Sequence, residues 1–279
     1  MFVGHQHLVK NFKALMTKDR LSHGYIFFGE PAVGKAFFAR HLANTLETGE
    51  FEIGKRLLQD TLFIDAGRLS GRASPSAGAE TNEGGIETMR SLKSFVWKKP
   101  AISSRRLAIV DSADSLTTPA QNAILKVAEE PPPHATIILI AHHLENLLPP
   151  LVSRMHTIYF GKVTDSEMKK LCPDAALIAS AQGRPGRMVR ARDNPLVRLA
   201  GKYGDQFLKA SERMRADIVK NMVEDDKENP LLVDYFFEHI LSVLRTDVVR
   251  NHADIHSILL RLTAIKQYNT NKRLQLMAI

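Results

Sequence analysis

Apolar positions along this chain follow two periods. Up to about residue 160, short unbroken apolar runs alternate with stretches in which apolar residues recur every three or four positions, and beyond residue 195 only the second pattern continues. The runs at 106–111 and 135–141 have the character of buried strands of a parallel sheet, and 25–28, 61–65 and 155–160 read as its other strands. Between them, helical spacing predicts a helix from residue 35 to about 46, with Phe37/Phe38, Ala39 and Leu42/Ala43 apolar, and another over 86–96 that stops at Lys98-Lys99-Pro100. Thr118 is placed to cap a further helix with Pro119 at its first position and Ala120, Ile124, Val127 and Ala128 as its buried stripe. The Gly-, Ser- and Ala-rich stretch 67–85 reads as a mobile surface loop. Alternating strands and helices predict an α/β domain, a parallel sheet flanked by helices, over 1–161. Residues 162–195 read as a small helical lid, and 196–279 as an all-α domain of long helices at 196–223, 230–249 and 253–278. Leu231, Leu232, Tyr235, Phe236, Ile240, Leu241, Val243, Leu244 and Val248 predict one apolar face there, and Ile255, Ile258, Leu259, Leu262, Ile265 and Leu276 its counterpart.

The connection after the first strand carries chemistry. Gly29-Glu30-Pro31-Ala32-Val33-Gly34-Lys35-Ala36 is a phosphate-binding loop lacking only its last letter. In G-x-x-x-x-G-K-[ST], the glycines let backbone N–H groups wrap a polyphosphate, the lysine neutralises the outer phosphates, and the hydroxyl ligates Mg²⁺. Ala36 has no oxygen to offer a metal. The second nucleotide motif is altered in the matching place. The run 106–111 closes on Asp111, which retains a carboxylate for a hydrated metal, but Ser112 stands where ATPases built on this loop carry the acid that activates water.

With both motifs in order, the chain resembles the AAA+ clamp-loader subunits of bacterial DNA polymerase III, within them the delta-prime type. The resemblance runs from Gly4-His5-Gln6 to about Met188. It takes in Arg20-Leu21-Ser22-His23-Gly24-Tyr25-Ile26-Phe27, then Thr118-Pro119-Ala120-Gln121-Asn122-Ala123-Ile124-Leu125-Lys126 and Glu129-Glu130-Pro131-Pro132. Leu151-Val152-Ser153-Arg154-Met155 is similar to the family's Ser-Arg-Cys motif with methionine for cysteine, and Gly183-Arg184-Pro185-Gly186-Arg187 to its sensor-2 segment. Ala36 and Ser112 favour the delta-prime type over the hydrolysing gamma/tau type. The resemblance implies a RecA-like AAA+ core over 1–161 with a degenerate nucleotide site, the lid, and a C-terminal collar over 196–279. It implies a subunit without ATPase activity of its own, in a hetero-pentameric ring with gamma/tau and delta that loads a sliding clamp onto primed DNA. Arg154 would be an arginine finger acting in trans on a neighbour's nucleotide, the alternative being a structural arginine paired with a loop carboxylate. Gly29, Gly34, Lys35, Asp111 and Arg187 would form the residual nucleotide site, with weak ATP or ADP binding or none; Arg187 has the alternative of packing the lid. The sensor-1 position falls among Ala141, His142 and His143, where His142 is either a hydrogen-bond donor or one of a surface histidine pair.

Composition narrows the classes. Hydrophobic residues make up 44% of the 279 residues, and no run approaches the ~18 apolar residues of a membrane span. The N-terminus lacks a signal peptide's apolar core, so a cytoplasmic chain is expected. The single cysteine, Cys172, excludes internal disulfides and a cysteine zinc cluster, and the zinc module of many relatives is missing from 47–60. The net charge of +8 suits work beside DNA, and residues 183–220 concentrate it with ten basic against four acidic side chains. Without interleaved aromatics, that cluster reads as a solvated or subunit-facing surface ahead of a DNA contact. Trp97 reads as core, and no Ser, His and Asp are spaced as a nucleophilic triad.

Overall fold

The five apolar runs become five strands in the computed structural model, which describes residues 2–54, 56–69, 83–229, 231–244, 251–268 and 276. They are β1 (Gly24–Phe28), β2 (Thr61–Asp65), β3 (Arg106–Asp111), β4 (Ala135–Ala141) and β5 (His156–Tyr159). All pairings are parallel and the order is β2-β3-β4-β1-β5. The chain divides into two units: Met1–Pro173 with Gly183–Gly186, and Asp174–Gln182 with Arg187–Ile279. The stretch 162–195 is thus shared between them.

The first unit is a three-layer α/β sandwich. Helices α1 (Gln6–Thr17) and α2 (Lys35–Thr48) contribute to the core on one face, and α4 (Glu83–Trp97), α5 (Thr118–Glu129) and α6 (Pro149–Arg154) to the core on the other; α3 (Ala66–Leu69) and α7 (Asp165–Met168) are single turns. Both faces being covered explains the apolar runs of the inner strands β1, β3 and β4, whereas the edge strands β2 and β5 are partly exposed. Ile138 and Ile140 of β4 enter the core with α2, while Ile137, Leu139 and Ala141 enter the core with α5. Phe38, Ala39, Leu42 and Ala43 are buried as their spacing predicts, as are Ala120, Ile124, Val127 and Ala128; Phe37 stays 43% exposed.

Several local expectations shift. Of the expected loop 67–85, Gly67–Leu69 lie in α3, the glycines 84 and 85 already belong to α4, and residues 70–82 lie outside the described residues. The cap of α5 is Thr117, one residue earlier than expected, so Pro119 falls at the second helical position, and the Thr117 hydroxyl makes no capping bond. Trp97 is 52% exposed, not core: Val96 takes the buried position at the end of α4, and the next residue points away.

The second unit is helical, with α8 (Ala175–Ala181), the greater part of α9 (Pro185–Asp193), α10 (Pro195–Lys209), α11 (Glu212–Glu228), α12 (Leu232–Leu244) and α13 (His252–Tyr268). The predicted helix 196–223 is two helices, because Ala210 and Ser211 are extended and Ser211 takes the N-cap position of α11. Arg215 closes the corner, its Nε donating to the Phe207 carbonyl (3.2 Å) and its guanidinium lying 4.8 Å from the Phe207 ring. Phe207, Met222, Leu232, Phe236, Phe237 and Ile240 are at most 2% exposed and form the core with Ile258 and Leu276. Leu231 and Leu259 are exposed, against expectation, and Val248 and the Ile265 side chain lie outside the described residues.

Candidate functional site

β1 and β3 leave the sheet at the same edge with only β4 between them: Phe28 pairs with Ala141, and Val110 with Leu139. Parallel strands spaced about 4.8 Å apart put the two strand ends about 10 Å from one another. Ligands of open parallel sheets gather at such carboxyl ends, and here the phosphate loop and Asp111 meet. The loop is tightly determined. Gly29 has φ +137°, and a Cβ there would run into the Phe160 carbonyl oxygen; Gly34 has φ +109°. Ala32, which does have a Cβ, is held at φ +64°, a left-handed conformation that costs roughly 1–2 kcal/mol.

Lys35 is only 5% exposed, and its Nζ donates to the carbonyls of Gly29 (2.5 Å) and Glu30 (2.7 Å). The ammonium is therefore turned into its own loop. Burial pulls its pKa down to about 8, with Asp111, Asp114 and Glu30 opposing the shift. The next residue, Ala36, packs its methyl against the core on the α2 face.

Asp111 is raised above the usual carboxylate range, chiefly by burial and further by Asp65, its partner in the sheet register; the Ser112 N–H (2.8 Å) opposes this. Ser112 is left-handed at φ +55°. Asp114 accepts both the backbone N–H and Nδ1 of His142, each at 3.1 Å. Burial works against the Asp114 charge, but these bonds outweigh it and hold the carboxyl below its usual range. His142 is thus a hydrogen-bond donor to Asp114 and stays partly exposed. Among the described residues, no group of three or more His, Cys, Asp or Glu side chains is arranged to hold a metal.

Arg154 ends α6 and is presented outward. Its Nη2 lies 3.1 Å from Glu129 Oε1, with both side chains about two-fifths exposed, and its Nη1 donates to the Pro150 carbonyl at 3.2 Å. Its own carbonyl is in hydrogen-bond contact with His23 Nε2 (3.0 Å). The turn before α6 is fixed by Gln121, an amide 4% exposed that donates to the carbonyls of Leu116 (3.2 Å) and Asn146 (3.0 Å) and accepts from the Leu148 N–H (2.8 Å). Met155, at the position of the family's cysteine, is buried against Gly24, where a Cβ would leave it no room.

The sensor-2 segment begins in the first unit and ends in the second. Gly183 accepts from the Val163 N–H (2.8 Å), Arg184 pairs with Glu30 (3.4 Å), and the Gly186 N–H donates to the Ala32 carbonyl (2.9 Å). Lys162 also reaches Glu30, at 3.3 Å. Arg187 belongs to the second unit and pairs with Glu238 at 3.6 Å. Gly29, Gly34, Lys35 and Asp111 are thus brought together at one sheet edge, while Arg154 lies at the end of α6. Glu30, Asp114, Gln121 and Glu129 drew no functional reading from the sequence. Gln121 and Glu129 stood inside motif strings, which was a signal; Glu30 occupies a variable position of the loop and gave none.

Residues 4–164, more than half of the chain, match the family described as DNA polymerase III, delta subunit. The chain belongs to this family. Its similarity extends to other DNA polymerase III subunits: it is 29% identical over 200 residues to the DNA polymerase III subunit gamma/tau of Mycobacterium tuberculosis (strain ATCC 25618 / H37Rv), covering 71% of this chain and 34% of that protein. With the DNA polymerase III subunit tau of Escherichia coli (strain K12) it shares 29% over 154 residues, 54% of this chain and 24% of the relative. The chain therefore spans about a third or less of the length of these curated relatives. Among solved structures, a gamma subunit-related protein of Thermotoga maritima is 21% identical, with a TM-score of 0.49 and 96% of each chain covered. The Aeropyrum pernix ORC1 protein in complex with DNA gives a TM-score of 0.47 at 14% identity, covering 74% and 61%. This member of the family is built on a parallel α/β domain that carries the phosphate loop, followed by a helical region.

Proposed function

We propose that this protein is the delta-prime-type subunit of a DNA polymerase III clamp loader: it joins gamma/tau and delta in a hetero-pentameric ring, does not hydrolyse ATP itself, and supplies Arg154 to a neighbour's nucleotide. The observation that carries this reading is Lys35, which spends two of its donors on the carbonyls of its own loop. Two side chains that Mg²⁺ and water need are also absent, at Ala36 and Ser112. Arg154 also rests on Glu129 and the Pro150 carbonyl, but it differs from Lys35 in being about two-fifths exposed; a forked guanidinium at the surface is the chemistry that stabilises a transferring phosphoryl group and is worth roughly 10³–10⁵ in rate at the site it enters. Residues 162–195 act as the lid and 196–279 as the collar that joins the ring, and the assembled complex loads the sliding clamp onto primed DNA.

The test is reconstitution of the ring with and without this chain, and with Arg154→Ala at matched assembly, reading DNA-stimulated ATP hydrolysis and clamp loading. Omission should abolish loading. Arg154→Ala should lower both rates in part, other interfaces keeping their own arginines. Unchanged rates would make Arg154 structural. A second reading, an ATP-hydrolysing subunit of the gamma/tau type, is favoured by the intact Gly29, Gly34, Lys35 and Asp111 and by the gamma/tau relatives. Mg²⁺-dependent turnover by the isolated chain, lost on changing Lys35, would establish it. If the two lost side chains explain the silence, Ala36→Ser with Ser112→Glu should raise turnover, and either change alone should do little.

A further inference from the structure

The phosphate loop is bound from outside as well as from within. Glu30, whose side chain is 43% exposed, faces two cations, Lys162 Nζ at 3.3 Å and Arg184 Nη1 at 3.4 Å. The segment bearing Arg184 also donates its Gly186 N–H to the Ala32 carbonyl (2.9 Å), and a Cβ at Gly186 would crowd Ala32. Lys35 meanwhile is held by the Gly29 and Glu30 carbonyls. Every cation named here is thus engaged by the loop's own carboxylate or carbonyls, although polyphosphate recognition depends on cations and backbone N–H donors at this place.

We propose that Glu30 is a self-inhibitory latch: its carboxylate holds Lys162 and Arg184 in the place of a ligand's phosphates, and so sets the phosphate loop against di- and triphosphates. This rests on the reading of the loop as a silent nucleotide site, and adds that the silence has a removable, electrostatic part beside the missing Ala36 and Ser112 chemistry.

The probes are inorganic pyrophosphate and ADP, titrated calorimetrically against the full chain. Glu30→Gln keeps the shape of the exposed side chain and releases both cations from its charge, so affinity for both probes should rise about three- to tenfold. The gain should vanish when Lys35→Ala is added. Hydrogen exchange at the Gly186 amide should quicken in Glu30→Gln without any ligand. Arg184→Gln should quicken it too, with no gain in affinity, because that change opens the latch while removing a cation. Unchanged affinity in Glu30→Gln, a gain that survives Lys35→Ala, or an equal gain in Arg184→Gln each overturns the proposal. If wild-type chain hydrolyses ATP, the proposed function fails instead. A silent wild type with an unresponsive Glu30→Gln condemns the latch alone.

Discussion

Lys35 and Arg154 are both cations that sequence motifs assign to phosphate, and the fold treats them in opposite ways. Lys35 sits at the start of α2, 5% exposed, with its charge spent on neighbouring carbonyls and its pKa pulled down to about 8 by burial. Arg154 ends a six-residue helix, 41% exposed, resting on Glu129 and the Pro150 carbonyl. An arginine cannot relieve burial by losing its proton, whereas a lysine can. On the proposed function, the loop serves as architecture that joins β1 to α2, and the corner as a presented charge.

The sharpest way to break this comparison is at the backbone. Gly29→Ala meets both a positive φ and the Phe160 carbonyl, so urea unfolding should show a loss of about 3 kcal/mol or more. Arg154→Ala should stay within about 0.5 kcal/mol of wild type in the same assay. Equal losses would mean that the corner is structural too. Gln121→Ala comes next: it strips a buried amide from two carbonyls and one N–H, and should cost roughly 2 kcal/mol. In the ring it should lower ATPase stimulation along with Arg154→Ala, because the amide fixes the turn that leads into α6.

A pH titration tests the buried state of Lys35 directly. Below about pH 8, Lys35 is protonated in both states and the cost of burying it is fully present. Between about 8 and 10.5 the folded chain has released the proton that the unfolded chain still binds, so stability rises with pH through that window. Relative to Lys35→Met, wild type should gain on the order of 1–2 kcal/mol there, after discounting for partial solvent contact. The smallest effect belongs to Glu129→Gln: an exposed pair is worth at most about 1 kcal/mol, so its thermal midpoint should hardly move, and a large drop would show that the corner is not merely resting on Glu129.

What the sequence alone determined rests on local periodicity and on motif spacing. Apolar runs located the five strands to within a residue at either end, most plainly the inner strands β1, β3 and β4, which are covered on both faces and have no polar alternation to confuse them; the edge strands β2 and β5 are partly exposed and mix polar residues into their runs. Glycine and lysine spacing located the phosphate loop, and Ala36 and Ser112 declared which groups it lacks. The α10–α11 break was less legible: Ser211 before Glu212 is a helix-start signal, but helical spacing continues across it and hides it. What only the tertiary structure decided is where each charge points and what it meets. Glu30 finds partners at 162 and 184, Arg154 finds Glu129, and Asp114 finds His142, each across a distance in sequence over which no period or motif operates. Trp97 likewise looked like core, because periodicity ranks apolar residues without saying which side of a helix end the neighbouring layer covers. The reason is common to all of these: hydrophobic pattern is written along the chain, whereas ion pairing and desolvation depend on the few ångströms between elements that the packed sheet brings together.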